Sequence, residues 1–163
     1  MANTYTAIAT VTVGSGGAAN IEFTSIPGTY TDLKVVMSSR ANADVVGVTC
    51  SINGSALDSG IRLRGNGSTA ASTSNTENYA VNNSGATATT FSNGEWYFPN
   101  YAGSQNKSVS MDGVTENNGT DAYSSFVAGL ESTASAITSL SFAPTSGSFV
   151  QYSTATLYGI KNS

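Results

Sequence analysis

Four acidic residues in the second half of the chain are the first candidates for chemistry. Asp112 and Glu116 are close in sequence, and we expect Glu95 and Asp121 as spatial neighbours. A glycoside hydrolase needs two carboxyl groups held across the scissile bond, one with a raised pKa. Calcium binding by Asp112, Glu116 and Asp121 would require a dense Asp-x-Asp-x-Asp spacing, which is missing. We favour the interpretation that these acids are ordinary solvated strand-edge and loop residues, so we expect no catalytic role for them.

Nucleophilic and metal chemistry lack their usual partners in this chain. There is no histidine, so a serine nucleophile would need Lys34 or Lys107 as its base. The single Cys50 forms no internal disulfide, and without His or paired Cys no zinc site is expected. Its apolar neighbours predict that Cys50 is a buried core residue. We therefore expect a protein that is not an enzyme and that needs no metal or cofactor.

Aromatic side chains offer a binding function instead. Tyr79, Trp96 and Tyr101 are candidates for a platform that stacks against a glycan or contacts a protein partner. An alternative is that Trp96 and Phe98, which share one strand face, belong to the core, and that the tyrosines lie at sheet rims or at a subunit contact.

Composition narrows the class of protein. The chain has 163 residues, 39% of them hydrophobic, and only 10% charged, whereas soluble proteins average about 25% charged residues. We expect a single folded domain spanning residues 1–163. The formal charge of −4 and the lack of a Lys/Arg cluster beyond Arg62 and Arg64 argue against nucleic-acid binding. No signal-peptide pattern or membrane-spanning apolar run is apparent, so we expect synthesis in a cytosol and no membrane association.

The elements that must position these residues are strands. Alternating apolar and polar residues predict about ten, separated by Gly, Pro and Asn-Gly turn signals. They cover residues 4–13, 19–24, 32–40, 45–53, 61–64, 93–99, 107–116, 123–131, 138–143 and 148–160, and residues 65–78 are expected to be an exposed loop. The four Asn-Gly pairs that predict tight turns begin at Asn53, Asn66, Asn93 and Asn118.

A single sheet of about ten strands would leave long exposed edges, so two packed sheets are expected. The sequence therefore predicts an all-β fold, a two-sheet antiparallel sandwich of jelly-roll or Greek-key type.

Three blocks of this sequence carry a family resemblance. They are IEFTSIPGTYTDL at residues 21–33, YFPNY at 97–101, and the C-terminal segment from SGS at 146–148 to LYGI at 157–160. Together they resemble the small β-sandwich virion proteins of tailed bacteriophages, a group that includes capsid decoration (cement) proteins and fibre modules. The matching motifs are structural, and none carries a catalytic residue.

The resemblance implies a virion location and a protein partner, either the major capsid protein or another virion protein. It also implies a homo-oligomer, often a trimer, that binds the outside of the shell and stabilises it. The alternative within the same group is a receptor-binding or glycan-binding tail or head-fibre module, which would use the loop at residues 65–78 and the aromatic platform of Tyr79, Trp96 and Tyr101.

Overall fold

A computed structural model describes residues 4–116 and 122–161, and these ranges contain thirteen β-strands and no helix. The strands are β1 (Thr4–Thr12), β2 (Ile21–Phe23), β3 (Asp32–Ser39), β4 (Gly47–Ile52), β5 (Ser55–Ala56), β6 (Ser59–Gly65), β7 (Ala70–Ser74), β8 (Asn78–Tyr79), β9 (Ser92–Phe98), β10 (Lys107–Thr115), β11 (Tyr123–Glu131), β12 (Leu140–Pro144) and β13 (Thr154–Lys161). The described chain has no helix that would be long and apolar enough to cross a bilayer.

The strands form two antiparallel sheets, as predicted. The larger sheet has eight strands in the order β1-β13-β3-β9-β10-β11-β6-β7. The smaller sheet runs β2-β12-β4-β5, with β8 also paired to β4. In the larger sheet β9, β10 and β11 are successive antiparallel neighbours, and the earlier strand β6 lies beside β11. Three successive strands with a fourth returned beside them by a long connection make a Greek key.

The core lies between the two sheets and follows the predicted alternation. Leu33, Val35 and Met37 of β3 point inward from the larger sheet, and Val48, Cys50 and Ile52 of β4 point inward from the smaller one. Trp96 on β9 meets Phe142 on β12 edge to face, with ring centroids 4.9 Å apart. This aromatic contact joins the two layers at the centre of the sandwich.

The C-terminal strand is shorter than predicted. Tyr152 has a φ of 72°, and the amide of Ser153 donates to the carbonyl of Val150, which closes a turn before β13 begins at Thr154. Ahead of this turn, buried Phe149 exchanges backbone hydrogen bonds with Ala18. The apolar-polar alternation runs through the turn by coincidence, because the residues on its two sides pair with different parts of the fold.

The predicted loop at residues 65–78 contains a strand. The side-chain oxygen of Asn66 accepts hydrogen bonds from the amides of Ser68 and Thr69, and this turn folds β7 back onto β6. The segment AASTS has too little hydrophobic contrast for an alternating pattern, so only its pairing to β6 identifies it as a strand.

One of the predicted Asn-Gly turns is confirmed at residues 53–54, and another, at residues 93–94, is wrong. Asn53 and Gly54 both have positive φ, and they form the predicted turn between β4 and β5. Asn93-Gly94 is instead part of β9, where a Cβ on Gly94 would lie 2.4 Å from the Cβ of Ala80. This glycine is therefore needed for close packing and not for a turn. Asn118-Gly119 lies outside the described residues.

The two end strands of the larger sheet differ in regularity. β1 carries a register shift between Ala7 and Ala9, a bulge that leaves Ile8 without a partner residue on β13. β7 pairs with β6 in unbroken register from Ala70 to Ser74.

Candidate docking surface

Two of the three predicted aromatic contact residues are part of the core. Trp96 and Tyr101 are both 0% exposed. The hydroxyl of Tyr101 donates to the carbonyl of Pro27 and accepts from the amide of Tyr30. Neither ring presents a face to a glycan or a protein, so the predicted platform is not assembled. The physical reason is that both rings fill the interior, and the core alternative is correct for Trp96 and Phe98.

Tyr79 is half-buried, and the guanidinium groups of two arginines lie over its ring. The guanidinium carbon of Arg62 lies 4.0 Å from the centroid of the Tyr79 ring, and that of Arg64 lies 5.5 Å from it. Arg64 also donates to the Tyr79 hydroxyl at 3.1 Å, and the ring of Tyr123 packs edge to face at 5.1 Å. Arg62 in turn forms an ion pair with Glu77 at 3.4 Å. This cluster uses the face of Tyr79 for cation-π contacts within the chain.

Two of the four candidate acids, Asp112 and Glu95, lie on the outer face of the larger sheet. Asp112 and Glu95 are directly opposed on β10 and β9, and Lys34 forms an ion pair with Glu95 at 2.5 Å. Partial burial raises the pKa of Asp112, and the nearby negative charge of Glu95 raises it further. Bonding to Glu95 raises the pKa of Lys34. Two opposed carboxylates with one lysine form a small charged cluster on an open sheet.

The other predicted combinations are not brought together. Glu116 accepts hydrogen bonds from the hydroxyls of Thr87 and Thr90 at the end of β10, and Asp121 lies outside the described residues. Among residues 4–116 and 122–161, no three His, Cys, Asp or Glu side chains form a group that could hold a metal ion.

The two lysines considered as bases are both engaged. Lys107 is 2% exposed, and its ammonium group donates to the backbone carbonyls of Gly103 and Gln105. Burial lowers the pKa of Lys107. Lys34 is paired with Glu95. Cys50 is buried as predicted, and burial raises the pKa of its thiol, which makes it a poor nucleophile.

The surface that sequence reasoning missed is apolar. Ile61 and Leu63 of β6 are 54% and 55% exposed, and Phe126 and Leu130 of β11 are 54% and 39% exposed. Phe126 lies directly opposite Leu63 in the pairing of the two strands. We call these four side chains the apolar outer face.

Among the outward positions of β6, β7 and β11, no charged side chain interrupts this surface. The outward positions of β6, β7 and β11 around the apolar outer face are occupied by small or hydroxyl residues, namely Ser59, Ala70, Ser72, Ser74, Ser124 and Ala128. The first charged neighbour is Asp112, opposite Phe126 on β10. Two open grooves of about 390 and 320 Å³ follow the surface, one beside Ile61 and Leu130 and the other beside Leu63 and Phe126.

The orientation of β6 explains why this surface was missed. Its strand alternates Ile61 and Leu63 with Arg62 and Arg64, and the ordinary expectation places the apolar pair inside. Here Arg62 is 5% exposed because it packs on Tyr79 and Glu77, and the aliphatic side chains therefore face outward. A strand with two arginines on one face and two aliphatic residues on the other was the available signal that its orientation could be reversed.

No protein-family model, curated protein or solved structure matches this chain.

Proposed function

We propose that this chain is a structural protein of a bacteriophage virion, most simply a capsid decoration or cement protein. It binds the major capsid protein or another virion protein as a homo-oligomer, and it acts by stabilising the shell without catalysis or a cofactor. Two lines support the proposal: the resemblance of the three sequence blocks to small virion β-sandwich proteins, and the apolar outer face.

The apolar outer face is the observation that carries the proposal. Single exposed apolar side chains are common on protein surfaces. A contiguous group of them on one sheet, with no charged side chain among them, is typical of a protein-protein contact. Its hydroxyl-rich surroundings can hydrogen-bond to a partner without the desolvation penalty of buried ions. The binding surface is thus built on a preformed sheet that needs little ordering upon association.

The size of the surface favours assembly in many copies. Burying four side chains that are already about half buried contributes roughly 1 kcal/mol each, or about 4 kcal/mol together. Association itself costs an estimated 4–15 kcal/mol, so this contact is weak in isolation. A particle that offers many equivalent sites to an oligomer converts weak contacts into stable attachment through avidity.

The positions of the other candidate residues favour binding over hydrolysis. Lys107 is committed to backbone carbonyls and Lys34 to Glu95, so neither lysine supports a serine nucleophile. A glycan-binding fibre module is less well supported than a decoration protein, because Trp96 and Tyr101 are buried.

Binding to capsids tests the proposal. Capsids of the encoding phage that lack this protein are mixed with the purified chain and sedimented, and the bound fraction is measured by gel densitometry. We expect the double variant Leu63→Thr with Phe126→Thr to lose most binding, because both exposed apolar groups are removed. The matched control is Val36→Thr, which replaces another exposed apolar residue, 37% exposed, on β3 of the same sheet.

Loss of binding counts only if the variants unfold at the temperature of the parent protein. Capsids loaded with the protein should rupture at a higher temperature than bare capsids. Equal rupture temperatures, or absence of the chain from purified virions by mass spectrometry, would reject the cementing role.

A further inference from the structure

The free edge of β7 presents unused backbone hydrogen-bonding groups. At the two ends of the β6–β7 hairpin, the amide of Asn75 donates to the carbonyl of Gly60, and the amide of Asn66 donates to that of Thr69. Because residues alternate in antiparallel pairing, these bonds place the backbone groups of Ala71 and Thr73 toward β6. The N–H and C=O groups of Ala70, Ser72 and Ser74 therefore point away from the sheet. Nothing in the described chain pairs with them.

This edge lacks the usual protection against strand pairing. Natural sheets block exposed edges with bulges, prolines or charged side chains. The segment Ala70–Ser74 contains none of these, whereas β1 at the opposite end carries the bulge at Ile8. An edge that is regular, uncharged and free of proline can accept another strand.

We propose that β7 pairs with β7 of a second copy of this chain. The pairing is antiparallel about a two-fold axis at Ser72, so that Ser72 faces the same residue of the second copy and Ala70 faces Ser74. In this register every outward N–H and C=O of the three residues meets its complement, giving six backbone hydrogen bonds. A strand that is its own complement in this way suits an isologous contact between identical chains.

Side chains and charges agree with the two-fold contact. Alanine and serine leave no steric obstacle between the paired strands. The net charge of −4 opposes contact between two copies in general, but the side chains of β7 are neutral. The charged residues of the neighbouring β6, Arg62 and Arg64, point to the inner face and contact Tyr79.

The paired molecule extends the proposed function. The two eight-stranded sheets become continuous, and the apolar outer faces of both copies lie on the same side of the joined sheet. Docking through two such surfaces strengthens attachment to a repeating shell. The two-fold symmetry also differs from the trimer that the sequence resemblance implies, so the mass of the oligomer distinguishes them.

Cysteine cross-linking tests the register. Thiols introduced by Ser72→Cys would face each other with Cα atoms about 5.5 Å apart, within the range of about 4.4–6.8 Å that a disulfide spans. The matched control is Ser74→Cys, whose two thiols would be four residues apart along the paired strands, about 13 Å. Under mild oxidation we expect a covalent dimer from the first variant and almost none from the second. Cys50 is buried and does not compete.

A proline substitution tests the backbone contact. Ser72→Pro removes an amide that points away from β6, so it preserves the hairpin. Ser72→Thr is the control because it keeps the amide. By light scattering after gel filtration, we expect the parent and Ser72→Thr to show the mass of a dimer. We expect Ser72→Pro to show the mass of a monomer with the circular dichroism spectrum of the folded parent.

A monomeric or trimeric parent protein, or equal cross-linking at positions 72 and 74, would overturn the β7 pairing. These outcomes are separate from the capsid test: a monomer that still binds capsids through Leu63 and Phe126 retains the proposed function without this inference. A dimer that binds no capsid retains the inference without that function.

Discussion

Removing the hydroxyl of Tyr101 tests whether the buried hydrogen bonds of this side chain stabilise the fold. The ring is 0% exposed, and its hydroxyl donates to the Pro27 carbonyl and accepts from the Tyr30 amide. Tyr101→Phe keeps the ring and deletes both contacts. A buried polar group left without its partner costs about 1–3 kcal/mol. Because Pro27 is exposed, we expect a cost in the lower part of that range, about 1–2 kcal/mol.

The assay is thermal unfolding followed by circular dichroism. For a domain of this size each kcal/mol lowers the midpoint by about 2–4 °C, so Tyr101→Phe should unfold about 2–8 °C below the parent. The control is Tyr5→Phe, because Tyr5 is 57% exposed and its substitution should change stability by less than about 0.5 kcal/mol. If the two variants unfold at the same temperature, the hydrogen bonds of Tyr101 do not stabilise the fold, and the argument from its buried hydroxyl is refuted.

Three further substitutions test other parts of the fold. Gly159→Ala places a Cβ 2.3 Å from Cγ of Tyr30 and should destabilise by about 1–3 kcal/mol in urea unfolding; Gly14→Ala, whose Cβ meets nothing within 4 Å, is the neutral control. Asp112→Asn should stabilise the protein at neutral pH. The raised pKa of Asp112 means that the folded state binds its proton more tightly, so stability falls as pH rises from below 3.8 through that raised pKa. The gain should vanish in acid, and a gain that is independent of pH would contradict the argument. Arg40→Lys should speed hydrogen exchange at the amides of Ala86 and Thr90. The guanidinium of Arg40 donates to the carbonyls of Ser84, Ala86, Thr87 and Thr90, and an ammonium cannot reach all four. Unchanged exchange would show that the contacts of Arg40 do not hold the segment 84–90 in place.

The layered architecture could be predicted from the sequence because one face of most strands is uniformly apolar. Leu33, Val35 and Met37 alternate with polar or exposed neighbours, and a strand with this pattern has one stable orientation against a core. The same argument correctly predicted Val48, Cys50 and Ile52. Where the alternation was strong and unbroken, it predicted both that the segment is a strand and which of its side chains face the core.

The failures occur where tertiary contacts override the local pattern. The alternation at residues 148–160 conceals a turn at Tyr152, because positive φ at a tyrosine has no signature in the sequence. The strand β7 has no pattern of its own and exists through pairing with β6. The orientation of β6 depends on contacts of Arg62 with Tyr79 and Glu77. These two residues follow β7 in the chain and are therefore not local neighbours of Arg62.

The candidate site was the least predictable feature for a related reason. Aromatic residues in strands can serve either a core or a surface, and only the packing of the two sheets places Trp96 and Tyr101 inside. The apolar outer face depends on the register between β6 and β11, which sets Phe126 beside Leu63. Register between strands about sixty positions apart in the chain is a property of the folded molecule.

The bulge at Ile8 has a consequence for how far assembly can proceed. A sheet with two regular ends could add copies without limit and grow into a filament. In the larger sheet as described, the bulge makes the β1 end irregular, whereas the β7 end is regular. If two copies pair through β7 as proposed, the extended sheet ends in a bulged β1 on each side, which disfavours further addition of strands to that sheet.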